Sequence, residues 1–289
     1  MKGLRYIIYT IIFFQNISAQ KNDAVIFKDH SAYTSFPDTG RTKGHFYNGT
    51  NYSMEEHYND NSIRMIVPSG FHTNKKVNFI FWFHGWNNNI DTAIEFYRLK
   101  QQFEQSGINA IMVLAETAKD APDSYGGKLE NKGVFNELLH DVLLKLKKLK
   151  QLKSNAKADK IILAGHSGAY RVIANILANG KTNIDEVILF DALYADTDKY
   201  INWIKQNSNH KFINLYTNFG GTDEETGNMK KLLNEQKIVF KSIEETELSP
   251  TGLKSSNILF IHSLHQHNDI IFNPDNFKLF LKNSVINTH

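Results

Sequence analysis

From residue 62 onward the chain alternates short continuous apolar runs with amphipathic segments, and no other feature constrains its fold as strongly. The runs "SIRMIVP", "VNFIFWFHG", "INAIMVLAE", "KIILAG", "EVILFD", "KFINLYT" and "NILFIH" are rich in β-branched and aromatic residues. A strand that is apolar at almost every position is buried on both faces. Such strands, separated by helices, predict an α/β fold with a mostly parallel central sheet, helices on both faces and ligands outside the carboxyl ends of the strands.

The segments between the runs carry helical signals. "NIDTAIEFYRLKQQFEQSG" predicts one helix, with Asp91 as N-cap, Ile94, Tyr97 and Phe103 on its inner face and Gly107 as its stop. "FNELLHDVLLKLKKLKQL" places Phe135, Leu138, Leu139, Val142, Leu146 and Leu149 at helical spacing. Its lysines, Lys145, Lys147, Lys148 and Lys150, gather where the helix dipole favours cations and read as a solvated face. Further helices are expected over "AYRVIANILANG", "DKYINWIKQ", around "MKKLLNEQ" and from Pro274, with an additional strand in "KIVFKSI".

The first 61 residues differ. Residues 1–19 have Lys2 and Arg5, an apolar stretch from Tyr6 to Phe14, and small residues at Ser18 and Ala19. They read as a signal peptide cut after Ala19, and a retained membrane anchor is the alternative. The expected location is therefore secreted or periplasmic. Residues 20–61 are polar, rich in Gly and Asn and without a sustained period, an irregular lead-in with one or two short strands. Residues 62–289 form the single expected α/β domain. The sequence has no cysteine, so neither a disulfide nor a lipoprotein anchor is available and the fold rests on its core. Cleavage would take Lys2 and Arg5 from the 33 basic residues and none of the 30 acidic ones. A chain that close to neutral offers no electrostatic argument for nucleic acid, and no stable membrane insertion is expected after cleavage.

Chemistry concentrates at "IILAGHSGAY" (161–170). A serine directly after a buried strand and directly before an amphipathic helix has its hydroxyl exposed at the top of the sheet. The N–H of the following residue, Gly168, then faces a reacting carbonyl. The small residues Gly165, Gly168 and Ala169 suit so tight a turn. With this placement, "GHSGA" resembles the nucleophile elbow G-x-S-x-G of the α/β-hydrolase superfamily, serine esterases and lipases among them. The order of strands and helices is similar to that fold from about residue 62 to 285. One departure is Ala169 in place of the final glycine.

The resemblance implies a serine hydrolase with a Ser-His-Asp triad and no cofactor. It makes Ser167 the nucleophile. It places the second oxyanion donor in "FHGW", with His84-Gly85 opening the loop and the backbone of Trp86 donating. The base comes late in the chain: in "FIHSLHQHNDII" His267 is preferred, His265 is the alternative, and His262 ends a strand. The acid is Asp191, at the end of "VILFD", or else Asp223 in "GGTDEET". His262, His265 and His267 also have a spacing at which imidazoles share a metal ion, which leaves metal-assisted hydrolysis as an alternative, and an inactive hydrolase-like binding protein as a third. The segment 118–133 is the expected lid. His84, Gly85, Tyr125, Tyr170 and Tyr194 are the expected substrate contacts, for an ester or amide that is either a small molecule or a polymer.

Overall fold

The structure is a computed structural model that describes residues 23–286; the expected signal peptide lies outside the described residues. The strands are β1 (Val25–His30), β2 (His45–Tyr47), β3 (Thr50–Tyr52), β4 (Ser62–Val67), β5 (Lys76–Phe83), β6 (Ala110–Ala115), β7 (Lys157–His166), β8 (Glu186–Phe190), β9 (Lys211–Thr217), β10 (Lys241–Glu244) and β11 (Ile258–Ser263). The helices are α1 (Met54–His57), α2 (Ile90–Phe96), α3 (Leu99–Ser106), α4 (Val134–Lys148), α5 (Tyr170–Asn179), α6 (Thr197–Gln206), α7 (Asp223–Glu235), α8 (Pro250–Ser255) and α9 (Asn276–Lys282).

Nine strands form one sheet in the order β1-β4-β6-β5-β7-β8-β9-β11-β10. β4 runs antiparallel to both neighbours, and from β6 to β10 every pairing is parallel. Residue alternation divides the core into two layers. Phe79, Phe81, Phe83, Ile161 and Leu163 pack beneath residues of α4, α5 and α6 such as Phe135, Ile173 and Tyr200. Ile80, Trp82, Ile162 and Ala164 pack on the other face against α2, α3 and α9 through Ile94, Phe103, Phe277 and Phe280. The chain leaves β5 for β6 on one side and returns to β7 on the other. The carboxyl ends of β5 and β7 therefore flank a topological switch point, the place where open α/β sheets bind ligands.

Several elements differ from the sequence reading. The single helix expected over 89–107 is two helices, α2 and α3, separated at Arg98, which takes a left-handed φ of 51°. Asn89 caps α2 by accepting from the Thr92 N–H at 2.9 Å, so the N-cap is not Asp91. Asp91 instead pairs with Arg64 at 2.7 Å. Of "KIVFKSI" only Lys241, Ser242 and Ile243 pair in the sheet, as the start of β10, while Val239 is 89% exposed. The last helix starts at Asn276, two residues after Pro274. The lead-in contributes more than expected: β1 is the edge strand of the main sheet, and β2–β3 form a hairpin. Phe36 and Tyr58 are fully buried with Ala118 and Ala121 of the expected lid.

Candidate active site

Ser167 follows β7 immediately and has φ +54°, in the left-handed region. A one-turn 3-10 segment, Ser167–Ala169, leads straight into α5, so the Gly168 N–H is among the donors that a helix start leaves without an intrahelical partner. Close packing makes the glycines obligatory. A side chain at Gly165 would lie 2.7 Å from the Ala169 Cβ and 2.8 Å from Ile173. At Gly168 it would lie 2.4 Å from the Trp86 indole. The motif's final position, Ala169, is 1% exposed and packs in the core with no left-handed requirement, which is why alanine serves there.

The loop after β5 abuts this turn. A side chain at Gly85 would lie 2.6 Å from the Ser167 Cβ and 3.2 Å from the Gly168 nitrogen. His84, expected to contact substrate, is instead 3% exposed and bound from both ring nitrogens. Nδ1 donates to the Gly85 carbonyl at 2.7 Å, and Nε2 donates to Glu116 Oε1 at 2.6 Å, with Thr117 Oγ1 at 2.8 Å. In a planar trans peptide the C=O and N–H point opposite ways. Holding the Gly85 oxygen thus fixes the direction of the Trp86 N–H. Burial lowers the His84 pKa, but the charge and hydrogen bond of Glu116, with the Gly85 carbonyl and the charge of Asp120, together outweigh it, and the net shift is upward.

The buried imidazolium–carboxylate pair makes a stability prediction. A pKa raised in the folded state gives stabilisation that is complete below the ordinary imidazole value of about 6.5 and is lost as pH rises through the raised value. Glu116→Gln is expected to destabilise the protein by about 3 kcal/mol at pH 6, because it leaves a buried charge without its partner. The gap should narrow towards pH 9. Urea unfolding of both proteins at the two pH values checks this, and a gap independent of pH would contradict a charged His84.

Asp191 stands one residue beyond β8 and is fully buried, with φ +45°. Its carboxylate receives four donors: His267 Nδ1 at 2.6 Å, Thr217 N at 3.1 Å, Thr217 Oγ1 at 2.9 Å and the Thr222 hydroxyl. Burial raises its pKa, but the His267, Thr222 and Thr217 hydrogen bonds outweigh burial and hold it below the usual carboxylate range. A side chain at Gly220 would lie 1.7 Å from Asp191 Oδ2 and 2.6 Å from His267 Nδ1, so this glycine lets the loop close over the pair.

His267 lies in the loop after β11 and shares a polar cavity of about 410 Å³ with Ser167, Trp86, Asn87, Asn88 and Asn268. With Nδ1–H given to Asp191, Nε2 is left as an acceptor. No hydrogen bond joins Ser167 and His267 in this state; such contacts commonly tighten only with substrate. Ser167 also borders an aromatic cavity of about 330 Å³ lined by Trp86, Ser124, Gly168, Tyr170 and Tyr194. The Trp86 indole donates to Ser124 Oγ at 2.7 Å and meets the Tyr47 ring edge-on at 5.4 Å. Burial pushes the Tyr194 phenol up to about 12, so it is protonated.

Other expected residues are elsewhere. Asp223 opens α7 in its first turn, after Thr222 at the cap position. The Thr222 hydroxyl is directed to Asp191, so the loop that would present Asp223 supplies a hydroxyl donor instead. The three late histidines do not converge. His262 sits between Glu244 at 2.8 Å and Asn218 at 3.1 Å, His265 lies 3.8 Å from Glu245, and His267 holds Asp191. Among the described residues no group of three or more metal-ligating side chains comes together. Tyr125 lines neither cavity; it packs under Arg41 at 4.6 Å and donates to Asp38 at 2.7 Å. The expected lid is tied down by Arg41–Asp123 at 2.6 Å and Arg171–Glu130 at 2.7 Å.

No family model and no curated protein matches the chain. Solved structures do match over nearly all of it. A feruloyl esterase module from Clostridium thermocellum, complexed with sinapinate, superposes with a TM-score of 0.53 and 15% identity over 92% of this chain and 91% of that one. A ferulic acid esterase gives 0.52 and 9% over 90% and 99%. An S-formylglutathione hydrolase from Agrobacterium tumefaciens gives 0.50 and 10% over 90% and 95%. The chain has the α/β-hydrolase fold. In an α/β-hydrolase fold the turns after β5, β7, β8 and β11 lie along one edge of the sheet, and here they hold His84-Gly85-Trp86, Ser167, Asp191 and His267.

Proposed function

We propose that the protein is an exported serine hydrolase that cleaves an ester or amide bond through an acyl-enzyme on Ser167. The observation that carries this reading is the Asp191–His267 pair at 2.6 Å on the cavity that also contains Ser167 in its left-handed turn. Ser167 Oγ attacks the substrate carbonyl while His267 Nε2 takes its proton. Asp191 keeps His267 in the Nδ1–H tautomer and stabilises the imidazolium. The Gly168 and Trp86 N–H groups receive the developing oxyanion. Collapse breaks the bond to the leaving alcohol or amine, which takes the proton from His267. Water then attacks the acyl-enzyme with His267 as base, and Ser167 recovers its proton as the acid departs. Export rests on the basic and apolar segment at residues 1–19. Among the described residues no helix is long and apolar enough to cross a membrane.

The two cavities have different tasks in this mechanism. His267 must protonate the leaving group, so the leaving group occupies the amide-lined cavity that contains His267 and Asn268. The acyl group then takes the cavity walled by Trp86, Tyr170 and Tyr194, whose faces suit a flat aryl acid better than a long alkyl chain. The sinapinate on the Clostridium module supports an aryl acid on this fold. With one alcohol held constant, aryl-acyl esters should exceed the acetate ester in kcat/KM by about tenfold or more. A chelator should leave the rate unchanged. Equal rates for the two acyl groups would contradict the assignment, and loss of activity with chelator would favour a metal-assisted reaction.

A further inference from the structure

The residue between Gly165 and Ser167 is unused in that mechanism, yet it is among the most constrained side chains near the site. His166 is 2% exposed, and each ring nitrogen has a partner. Nε2 lies 2.9 Å from the backbone oxygen of His267, and Nδ1 lies 3.0 Å from the Tyr97 hydroxyl. A carbonyl has no proton to give, so Nε2 carries the hydrogen and Nδ1 accepts from Tyr97. Burial first, and the nearby His267 second, push the His166 pKa down to about 3, in keeping with a neutral ring. The His166 and His267 rings lie 4.4 Å apart at 39°.

The loop that carries His267 is partly exposed. Leu264 is 72% exposed and the His265 side chain 37% exposed. The loop's own backbone bonds, from the Asp269 and Ile270 N–H groups to the Gln266 carbonyl at 2.9 and 3.3 Å, close a turn around His267, and the His166 ring adds a hold from outside the loop. Its other tethers come from the break between α2 and α3. Arg98 reaches the Phe272 carbonyl and Asp275, the latter at 2.8 Å, and Tyr97, whose single hydroxyl proton goes to His166, acts on the loop through that ring. The left-handed turn at Arg98, which interrupts an otherwise helical stretch, is what presents these two side chains to the loop.

We infer that His166 is a positioning residue: held by Tyr97, its Nε2–H fixes the backbone carbonyl of His267 and so aims the His267 ring at Ser167. The inference rests on the serine-hydrolase reading for its effect on rate. The neutral tautomer matters, because a second cation 4.4 Å away would oppose the imidazolium that forms on His267. Reacting groups tolerate little displacement, and an error of about 1 Å can cost on the order of 100-fold in rate.

The test compares three variants. His166→Leu keeps bulk but has no donor; His166→Gln restores an N–H donor at nearly the reach of Nε2; Tyr97→Phe removes the hydroxyl that sets the tautomer. His166→Leu should lower kcat and the rate of fluorophosphonate labelling together by about 10- to 100-fold, with KM within about twofold of wild type. His166→Gln should recover most of the loss, and Tyr97→Phe should fall between wild type and His166→Leu. Nitrogen-15 spectra of the imidazoles give a readout independent of turnover. Wild type should show one sharp His267 ring environment and His166 protonated at Nε2 alone, whereas His166→Leu should show several His267 environments. A folded His166→Leu that labels at the wild-type rate, or a His166→Gln as slow as His166→Leu, would overturn the inference. If wild type itself does not label, the hydrolase reading fails, and the spectra still decide whether His166 holds His267.

Discussion

Ser167→Ala is expected to lose hydrolysis by on the order of 10⁵- to 10⁶-fold while keeping the wild-type fold. Among the described residues, Ser167 is the one hydroxyl that borders both cavities. Ser167 stands where the β5 loop, the start of α5 and the His267 cavity meet, at φ +54°. That backbone conformation costs a non-glycine residue about 1–2 kcal/mol, held in place by the strand before it and the helix after it. Ser167→Gly therefore makes a second, opposite-signed prediction. It should abolish activity as completely as alanine while raising stability by about 1 kcal/mol, because glycine adopts this conformation without strain. Turnover assays with thermal melts of the three proteins check both. A glycine variant less stable than wild type would show that the turn is not strained. Retained activity in either variant would remove Ser167 from the mechanism.

Asp191→Asn is expected to reduce kcat by about 10⁴-fold with little change in KM. The carboxylate accepts from His267, from the Thr217 N–H and hydroxyl, and from the Thr222 hydroxyl. A carboxamide has only one oxygen to accept with, so its NH₂ must face one of these donors. Facing His267, it would favour the tautomer protonated at Nε2, which cannot take the proton of Ser167. Asparagine tolerates the left-handed backbone, so φ +45° presents no further obstacle. The wild-type carboxyl is held below its ordinary pKa, and its stabilising contribution is present above the unfolded value and lost as pH falls through the folded one. The stability gap between wild type and Asp191→Asn should therefore shrink in strong acid. By contrast Asp223→Asn, at the first turn of α7, should leave kcat unchanged. Equal losses in the two variants would contradict the assignment of Asp191.

Much of the α/β layer was legible because a doubly covered strand has no polar face to disguise it: "IILAG" and "VILFD" declare themselves by composition. The tight turn at Ser167 was legible because it needs small residues on both sides. What sequence could not supply were contacts made across long separations. The hold of His166 on His267 spans 101 residues and that of Thr222 on Asp191 spans 31, and neither leaves a local pattern. His84 is instructive, since its neighbourhood on the chain suggested substrate contact whereas its partner Glu116 lies 32 residues away and fully buries it. The break at Arg98 was missed because no glycine or proline marks it; the left-handed turn is stabilised by the contacts of Arg98 with Phe272 and Asp275. Tyr125 was misplaced for a related reason. It is close to the site in sequence order, but the lead-in supplies Arg41 and Asp38 as its partners.

The nucleophile is tested by the intact mass of the protein after reaction with a fluorophosphonate, measured beside Ser167→Ala under the same conditions. Wild type should carry one adduct, located at Ser167, and the variant none. A folded wild-type protein that forms no adduct, or a variant that forms the same one, would contradict a nucleophilic Ser167.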